Sequence, residues 1–323
     1  MAIIFLGTPR FAVPSLEALI KAGEDIAAVV TRPDAPKNRT KKPLPSHVKE
    51  AALRHGLKVL EPRSMKDPQF LSELKKIQPE FLLVVAYGRI LTREILSIPK
   101  IAPVNVHASL LPKYRGASPI NWAIINGERE TGVTTMMIIY ELDSGDILLQ
   151  EKTPITEEDT AETLSARLSA MGAELLVKTL KGLREGTLKP RPQAGLQASL
   201  QASLQEGEPT FAPPLKKEDG LIKWEKTATE LFNFTRGVYP WPGAYSFLKG
   251  ERVKLIKARP LLGEGSPGAI EKTEGDDLLV GTGKGLLSII ELQPEGKRRM
   301  GAREFMQGRD IKKGDRFTRE PEE

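Results

Sequence analysis

Cysteine is absent from the 323 residues, and histidine occurs only at 47, 55 and 107. Without cysteine there is no disulfide frame, no thiolate nucleophile and no sulfur-ligated metal. The same absence fits a reducing compartment. No apolar run reaches the length that crossing a bilayer requires. The N-terminal apolar run, residues 1–6, is short and lacks the basic flank and longer core of a secretion signal. A cytoplasmic protein with no membrane partner is expected. The turn after that run, Gly7-Thr8-Pro9, lacks the spaced glycines of a dinucleotide fingerprint. No G-x-x-x-x-G-K-[ST] loop is present to cradle ATP.

What is present suits a soluble globular chain with a real core: 40% hydrophobic and 28% charged residues. The length sets an expectation of two domains. Lys and Arg number 48 against 42 Asp and Glu, a net charge of +6. That excess is a mild pointer to a polyanionic partner.

Residues 3–6, 26–31, 57–60, 81–86 and 104–107 read as short, β-branched, buried strands. Residues 11–22, 47–54 and 67–77 carry helical apolar spacing, with Ser46 as an N-cap. This alternation predicts an α/β domain with a doubly wound, mostly parallel sheet of Rossmann-like type. Ligands of such sheets lie beyond the carboxyl ends of the strands. Residues 133–139 and 147–155 read as two further strands, and residues 160–183 as a long amphipathic helix. The first domain is set at residues 1–188.

Residues 189–214 read as a linker. It contains the tandem run Leu196-Gln-Ala-Ser-Leu-Gln-Ala-Ser-Leu-Gln205, too short a period for a solenoid, and is read as a spacer. In residues 215–318 a strand is expected at 221–224 and a helix at 227–234. Short apolar runs between Gly-rich turns follow, which predict a small C-terminal β-barrel of OB-like type. The acidic tail after Arg319 reads as disordered.

The chemistry concentrates in Asn105-Val-His107-Ala-Ser109-Leu-Leu-Pro112 and in Leu142-Asp143-Ser-Gly-Asp146. Asn105 and His107, two apart on a strand, point to the same face. A neutral imidazole there can accept a proton near pH 7, and an amide beside it can donate to a developing oxyanion. A carboxylate at Asp143, if it approaches His107, would favour the imidazolium and fix its orientation. A silent hydrogen-bonded histidine and ordinary turn aspartates are the competing readings, and the second holds for Asp146. The set fits an amine attacking an acyl carbon.

Residues 105–119, with Gly132-Val-Thr-Thr-Met136 and Leu142-Asp-Ser-Gly-Asp-Ile147, resemble the 10-formyltetrahydrofolate-dependent formyltransferases. Three further stretches resemble the branch that acts on methionyl-tRNA: residues 5–15, Arg236-Gly-Val-Tyr-Pro-Trp-Pro-Gly-Ala244, and Gln293-Pro-Glu-Gly-Lys-Arg-Arg-Met300 with Phe305. The likeness spans residues 1–310 and both domains. It implies transfer of a formyl group from 10-formyltetrahydrofolate to the α-amine of methionine on initiator Met-tRNA, with no metal. Asn105, His107 and Asp143 would be catalytic, and Thr135 could help to position them. Ser109, Leu110, Leu111 and Pro112 would line the folate pocket. Val84, Ala86, Tyr87, Gly88, Ile90 and Leu91 would flank the pterin, although for the apolar ones a core role competes. A small folate and an initiator tRNA are thus the expected partners, and a monomer is expected.

Two basic regions would serve the tRNA. Residues 32–49 include Arg39, Lys41 and Lys42. In the family an insertion here contacts the acceptor stem, and Arg39 can fork onto phosphate or a base edge. This chain has no glycine around that arginine, unlike the family's usual spacing. The second region holds Lys297, Arg298, Arg299 and Arg303, suited to tracking phosphates. Two alternatives remain at this point. One is a formyl-folate enzyme acting on a small amine, such as a sugar nucleotide or purine precursor. The other is a non-catalytic RNA-binding relative.

Overall fold

The protein is described by a computed structural model that covers residues 2–36, 43–193, 208–273 and 278–321. The expected contacts of Arg39, Lys41 and Lys42, the Ala-Ser-Leu-Gln repeat and the last two residues of the acidic tail lie outside the described residues. The chain divides into two compact units. Met1–Pro119, Glu130–Pro154 and Ser165–Pro213 form the first; Ile120–Arg129, Ile155–Leu164 and Pro214–Glu323 form the second.

In chain order the first part of the molecule runs β1 (Ile3–Gly7), α1 (Val13–Lys21), β2 (Ile26–Val30), β3 (Ala35–Pro36), β4 (Pro43–Leu44), α2 (His47–Arg54), β5 (Val59–Leu60) and α3 (Pro68–Ile77). There follow β6 (Phe81–Val85), α4 (Arg93–Leu96), β7 (Ala102–His107), α5 (Pro119–Ile125), β8 (Glu130–Met137), β9 (Ile147–Pro154) and α6 (Ala161–Arg184). The main sheet has the order β5-β2-β1-β6-β7-β8-β9. Its first five strands are parallel, and β8 and β9 return antiparallel. The near-continuous apolar runs of β1 and β6 place those strands at the centre, where both faces are covered.

Local chemistry starts the helices where the sequence indicates. The Ser46 hydroxyl accepts from the Lys49 N–H at 3.0 Å, and the Asp67 carboxylate accepts from the Gln69 and Phe70 N–H groups. α6 lies against the sheet through Gly172, where an added Cβ would meet Val106 Cγ1 at 2.8 Å. Strand order runs outward from β1 in two directions, through β2 on one side and β6 on the other. The carboxyl ends of β1, β6 and β7 therefore open onto the switch-point crevice. β3 and β4 pair with each other, Ala35 with Leu44 and Pro36 with Pro43, and so form the base of the basic loop.

The second unit contains α7 (Ala228–Gly237), β10 (Ala244–Leu248), β11 (Glu251–Leu261), β12 (Ile270–Lys272), β13 (Leu278–Gly281), β14 (Leu286–Pro294), β15 (Met300–Gly301), α8 (Ala302–Gln307) and β16 (Phe317–Thr318). Its antiparallel sheet has the order β12-β13-β14-β11-β10-β16, with β15 added to β14. Register shifts at Leu255–Ala258 bend β11. The sheet curls until its edges meet. Ala269 bridges Arg316, and the Phe317 N–H donates to the Gly268 carbonyl at 2.8 Å. Such closure removes unpaired edges and is consistent with an OB-like barrel.

Trp224 and Phe317 lie in its core with ring centroids 5.4 Å apart, and the Trp224 N–H donates to Ser246 Oγ. Residues 221–224 do not form the expected strand. A single bridge, Leu221 to Tyr245, joins them to β10, after which Trp224 turns into the core. Gly263-Glu-Gly-Ser-Pro-Gly268 has dinucleotide-like spacing but joins β11 to β12, with no helix after it to receive a phosphate.

Candidate active site

β7 ends on His107, and its neighbours set the geometry. Val84 pairs with Asn105 across the parallel ladder, and Thr134 pairs with His107 across the antiparallel one. Asn105 is half-buried, and its amide has no hydrogen-bond partner among the described residues. The His107 side chain is 7% exposed, with Nδ1 3.7 Å from Asp143 Oδ2. Its Nε2 lies 2.9 Å from the Tyr114 carbonyl oxygen. A carbonyl only accepts, so Nε2 carries a proton. Nδ1 is the nitrogen that faces the carboxylate.

Asp143 occupies the left-handed region at φ 46 and receives the Gly116 N–H on Oδ2 at 2.8 Å. Gly145 closes the turn. A Cβ there would sit 2.0 Å from the Met137 carbonyl oxygen, so the turn requires glycine. Asp146 serves the turn through its backbone carbonyl, which accepts from the Met137 N–H.

The segment 109–112 is held rather than loose. Ser109 Oγ donates to the Lys113 carbonyl at 2.6 Å, and Thr134 Oγ1 donates to the Ser109 carbonyl at 2.6 Å. The Leu111 N–H donates to Thr134 Oγ1, and the Gln150 amide donates to the Leu111 carbonyl. The Leu111–Pro112 peptide is cis. Leu111 packs with Met136 and Ile147 in a small apolar cluster, and Leu110 is half-buried.

At the end of β6, Ala86 and Gly88 are exposed with positive φ, and Ile90 is 82% exposed. Tyr87 and Leu91 point the other way, into the core with Ile4, Leu6 and Phe70, and Val84 packs against that core. Burial pushes the Tyr87 phenol above its ordinary value. Thr135 Oγ1 pairs with Thr179 on α6, which makes it a sheet-to-helix tie.

In the second unit, Lys297, Arg298, Arg299 and Arg303 are exposed around the turn from β14 to β15 and the start of α8. Arg299 donates to Tyr239 Oη at 2.7 Å and stacks over that ring, while Arg298 pairs with Glu304.

Sequence reasoning missed Arg115 and Gln193. Arg115 is 2% exposed, and both its Nε and Nη2 donate to Gln193 Oε1. Burial pushes its guanidinium below the ordinary value, and Asp143 opposes that shift. Arg115 lies within the run 105–119, but nothing in its spacing pairs it with residue 193.

Among the described residues no cluster of three or more His, Asp or Glu side chains could hold a metal, and no helix is long and apolar enough to cross a membrane. Residues 1–180 match the formyl transferase family, and residues 214–310 match the formyl transferase C-terminal domain. The chain is 54% identical to a methionyl-tRNA formyltransferase of Thermodesulfovibrio yellowstonii, over 98% of this chain and 99% of that one. It is 49% identical to that of Caldanaerobacter subterraneus, over 97% and 99%. Among solved structures, it superposes on an N-formyltransferase of Helicobacter canadensis in complex with folinic acid and dTDP-3-aminofucose. The TM-score is 0.65, with 23% identity, covering 89% of this chain and 97% of that one. HypX of Aquifex aeolicus in complex with tetrahydrofolic acid gives a TM-score of 0.62 at 19% identity, covering 98% of this chain and half of that longer one. These two likenesses concern the fold. The chain belongs to the formyl transferase family.

Proposed function

We propose that the chain transfers the formyl group of 10-formyltetrahydrofolate to the α-amine of methionine on initiator Met-tRNA, acting as a cytoplasmic monomer. The observation that carries this reading is the 54% identity to a methionyl-tRNA formyltransferase over essentially the whole of both chains, second unit included.

The residues at the end of β7 fit the chemistry. The attacking amine has an ordinary pKa near 7.7–8.0 and must lose a proton as its bond to the formyl carbon forms. His107 Nδ1 is the base in this geometry, because Nε2–H is held by Tyr114. Asp143 stabilises the resulting imidazolium across 3.7 Å. The uncommitted Asn105 amide donates to the formyl oxygen as it gains charge. His107 then returns a proton to the departing N10 nitrogen as the old C–N bond breaks. In this reading the 109–112 segment and the exposed Ala86, Gly88 and Ile90 line the folate site. Tyr87 and Leu91 support it from beneath. Lys297, Arg298, Arg299 and Arg303 take phosphates of the tRNA, and Arg39, Lys41 and Lys42 take its acceptor stem.

The test is formyl transfer from 10-formyltetrahydrofolate to Met-tRNA, to free methionine, and to the amines of sugar nucleotides and purine precursors, with deacylated tRNA as a blank. Transfer to Met-tRNA alone is expected. Transfer to a small amine in its place, or to no acceptor, overturns the reading. In single-turnover assays Asn105→Ala should slow transfer by about 10²–10³-fold, the usual effect of losing an oxyanion donor. His107→Ala and Asp143→Ala should each slow it with the fold retained. Near-normal rates in all three overturn the residue roles.

A further inference from the structure

We infer that Gln193 is a positioning residue for Asp143, held in place by the buried Arg115; the inference rests on the role proposed above for Asp143. The Gln193 carboxamide lies between two kinds of partner. Its Oε1 accepts from Arg115 Nε at 3.2 Å and from Nη2 at 2.7 Å. Its Nε2 donates to the Asp143 carbonyl at 3.0 Å and to the Gly145 carbonyl at 2.7 Å. The chemistry leaves one orientation for the amide, since a guanidinium only donates and carbonyls only accept. Both ends of the left-handed Asp143 turn are thus tied to one side chain from 50 residues downstream. With the Gly116 N–H on Oδ2, this network fixes the carboxylate relative to His107.

The backbone beside Gln193 is anchored independently. Arg191 and Ile147 exchange both N–H···O bonds, at 2.7 and 2.9 Å. The Arg191 guanidinium also donates to Gln150 Oε1, and the Gln150 amide in turn donates to the Leu111 carbonyl. Two residues, Arg191 and Gln193, therefore brace both the Asp143 turn and the 109–112 segment. Gln193 acts through Asp143 and the turn that carries it.

The experiment compares Gln193→Ala and Gln193→Glu in the full-length protein, with 10-formyltetrahydrofolate and Met-tRNA. Glutamate keeps an acceptor for Arg115, so the buried guanidinium stays paired and the fold is retained. It has no donor for the two carbonyls. Both variants should lose kcat by roughly tenfold or more, as misplacement of a catalytic group by about 1 Å does. KM for both substrates should stay within about twofold, and the unfolding midpoint should fall less in Gln193→Glu than in Gln193→Ala, where Arg115 loses its partner. Added to Asp143→Asn, either change should cost nothing further, because both act on one group. A wild-type kcat in Gln193→Glu, a loss confined to KM, or a fully additive loss in the double variant overturns the inference. A wild-type kcat in Asp143→Asn alone overturns the role of Asp143, and this inference with it. A slow Asp143→Asn beside a normal Gln193→Ala overturns this inference alone.

Discussion

At the scale of single residues, the site depends on backbone positions as much as on functional groups. Gly116 has φ 118, and a Cβ there would lie 2.7 Å from the Ala212 carbonyl oxygen. The same glycine supplies the N–H that holds Asp143. Gly116→Ala should therefore shift the 114–118 segment away from 210–212 and lower kcat together with the unfolding midpoint. Gly145→Ala should do likewise, because the obstacle is backbone and cannot step aside. Paired activity and thermal-unfolding measurements on both variants check this, and unchanged values in both would contradict the geometry. That Asn105 and His107 share a face was legible in the sequence because residues two apart on a strand do so, whereas Asp143 was legible only as a turn aspartate until the resemblance joined it to His107. Arg115 and Gln193 were not. They meet across 78 residues of chain, a distance over which local pattern carries no information.

Among elements, the main strands and most helices were legible, because fully apolar runs such as 81–85 and caps such as Ser46 act locally. Residues 221–224 show the limit. Their alternation is strand-like, but Trp224 commits to the core of the second unit and only one bridge to β10 survives. α7 carries a full capping box: the Thr227 hydroxyl accepts from the Glu230 N–H, and the Glu230 carboxylate accepts from the Thr227 N–H. Thr227→Ala should cost about 1 kcal/mol of stability in the second unit, measured by denaturant unfolding. The Thr227 backbone and hydroxyl hold the Glu230 carboxyl below its ordinary range. A lowered folded-state pKa means that this contribution is present above the ordinary value of about 4.3. It is lost as pH falls through the lower folded value. Acid titration of unfolding should therefore separate wild type from Thr227→Ala near neutrality, with the gap narrowing in strong acid to what the Glu230 N–H to Thr227 hydroxyl bond contributes.

For the whole molecule, the net charge of +6 gains meaning from where the cations stand. If the turn after β14 tracks phosphates, log K for Met-tRNA should fall linearly with log salt, and Arg299→Ala should reduce that slope by about one. A salt-independent affinity would contradict the phosphate role. The two compact units are not contiguous in the chain. Ile120–Arg129 and Ile155–Leu164 are early in the chain yet belong with the second unit, and their sequences carry no sign of it.

The two chain segments on either side of 194–207 have a further consequence. The Gln193 side chain accepts from the Arg115 guanidinium, and the Thr210 carbonyl accepts from the Arg115 backbone N–H. Residues 193 and 210 are thus both held at one arginine. That makes the sequence between them a natural port of insertion. A foreign domain whose own termini lie close together, spliced into the repeat, would leave both clasps closed and formyl transfer intact.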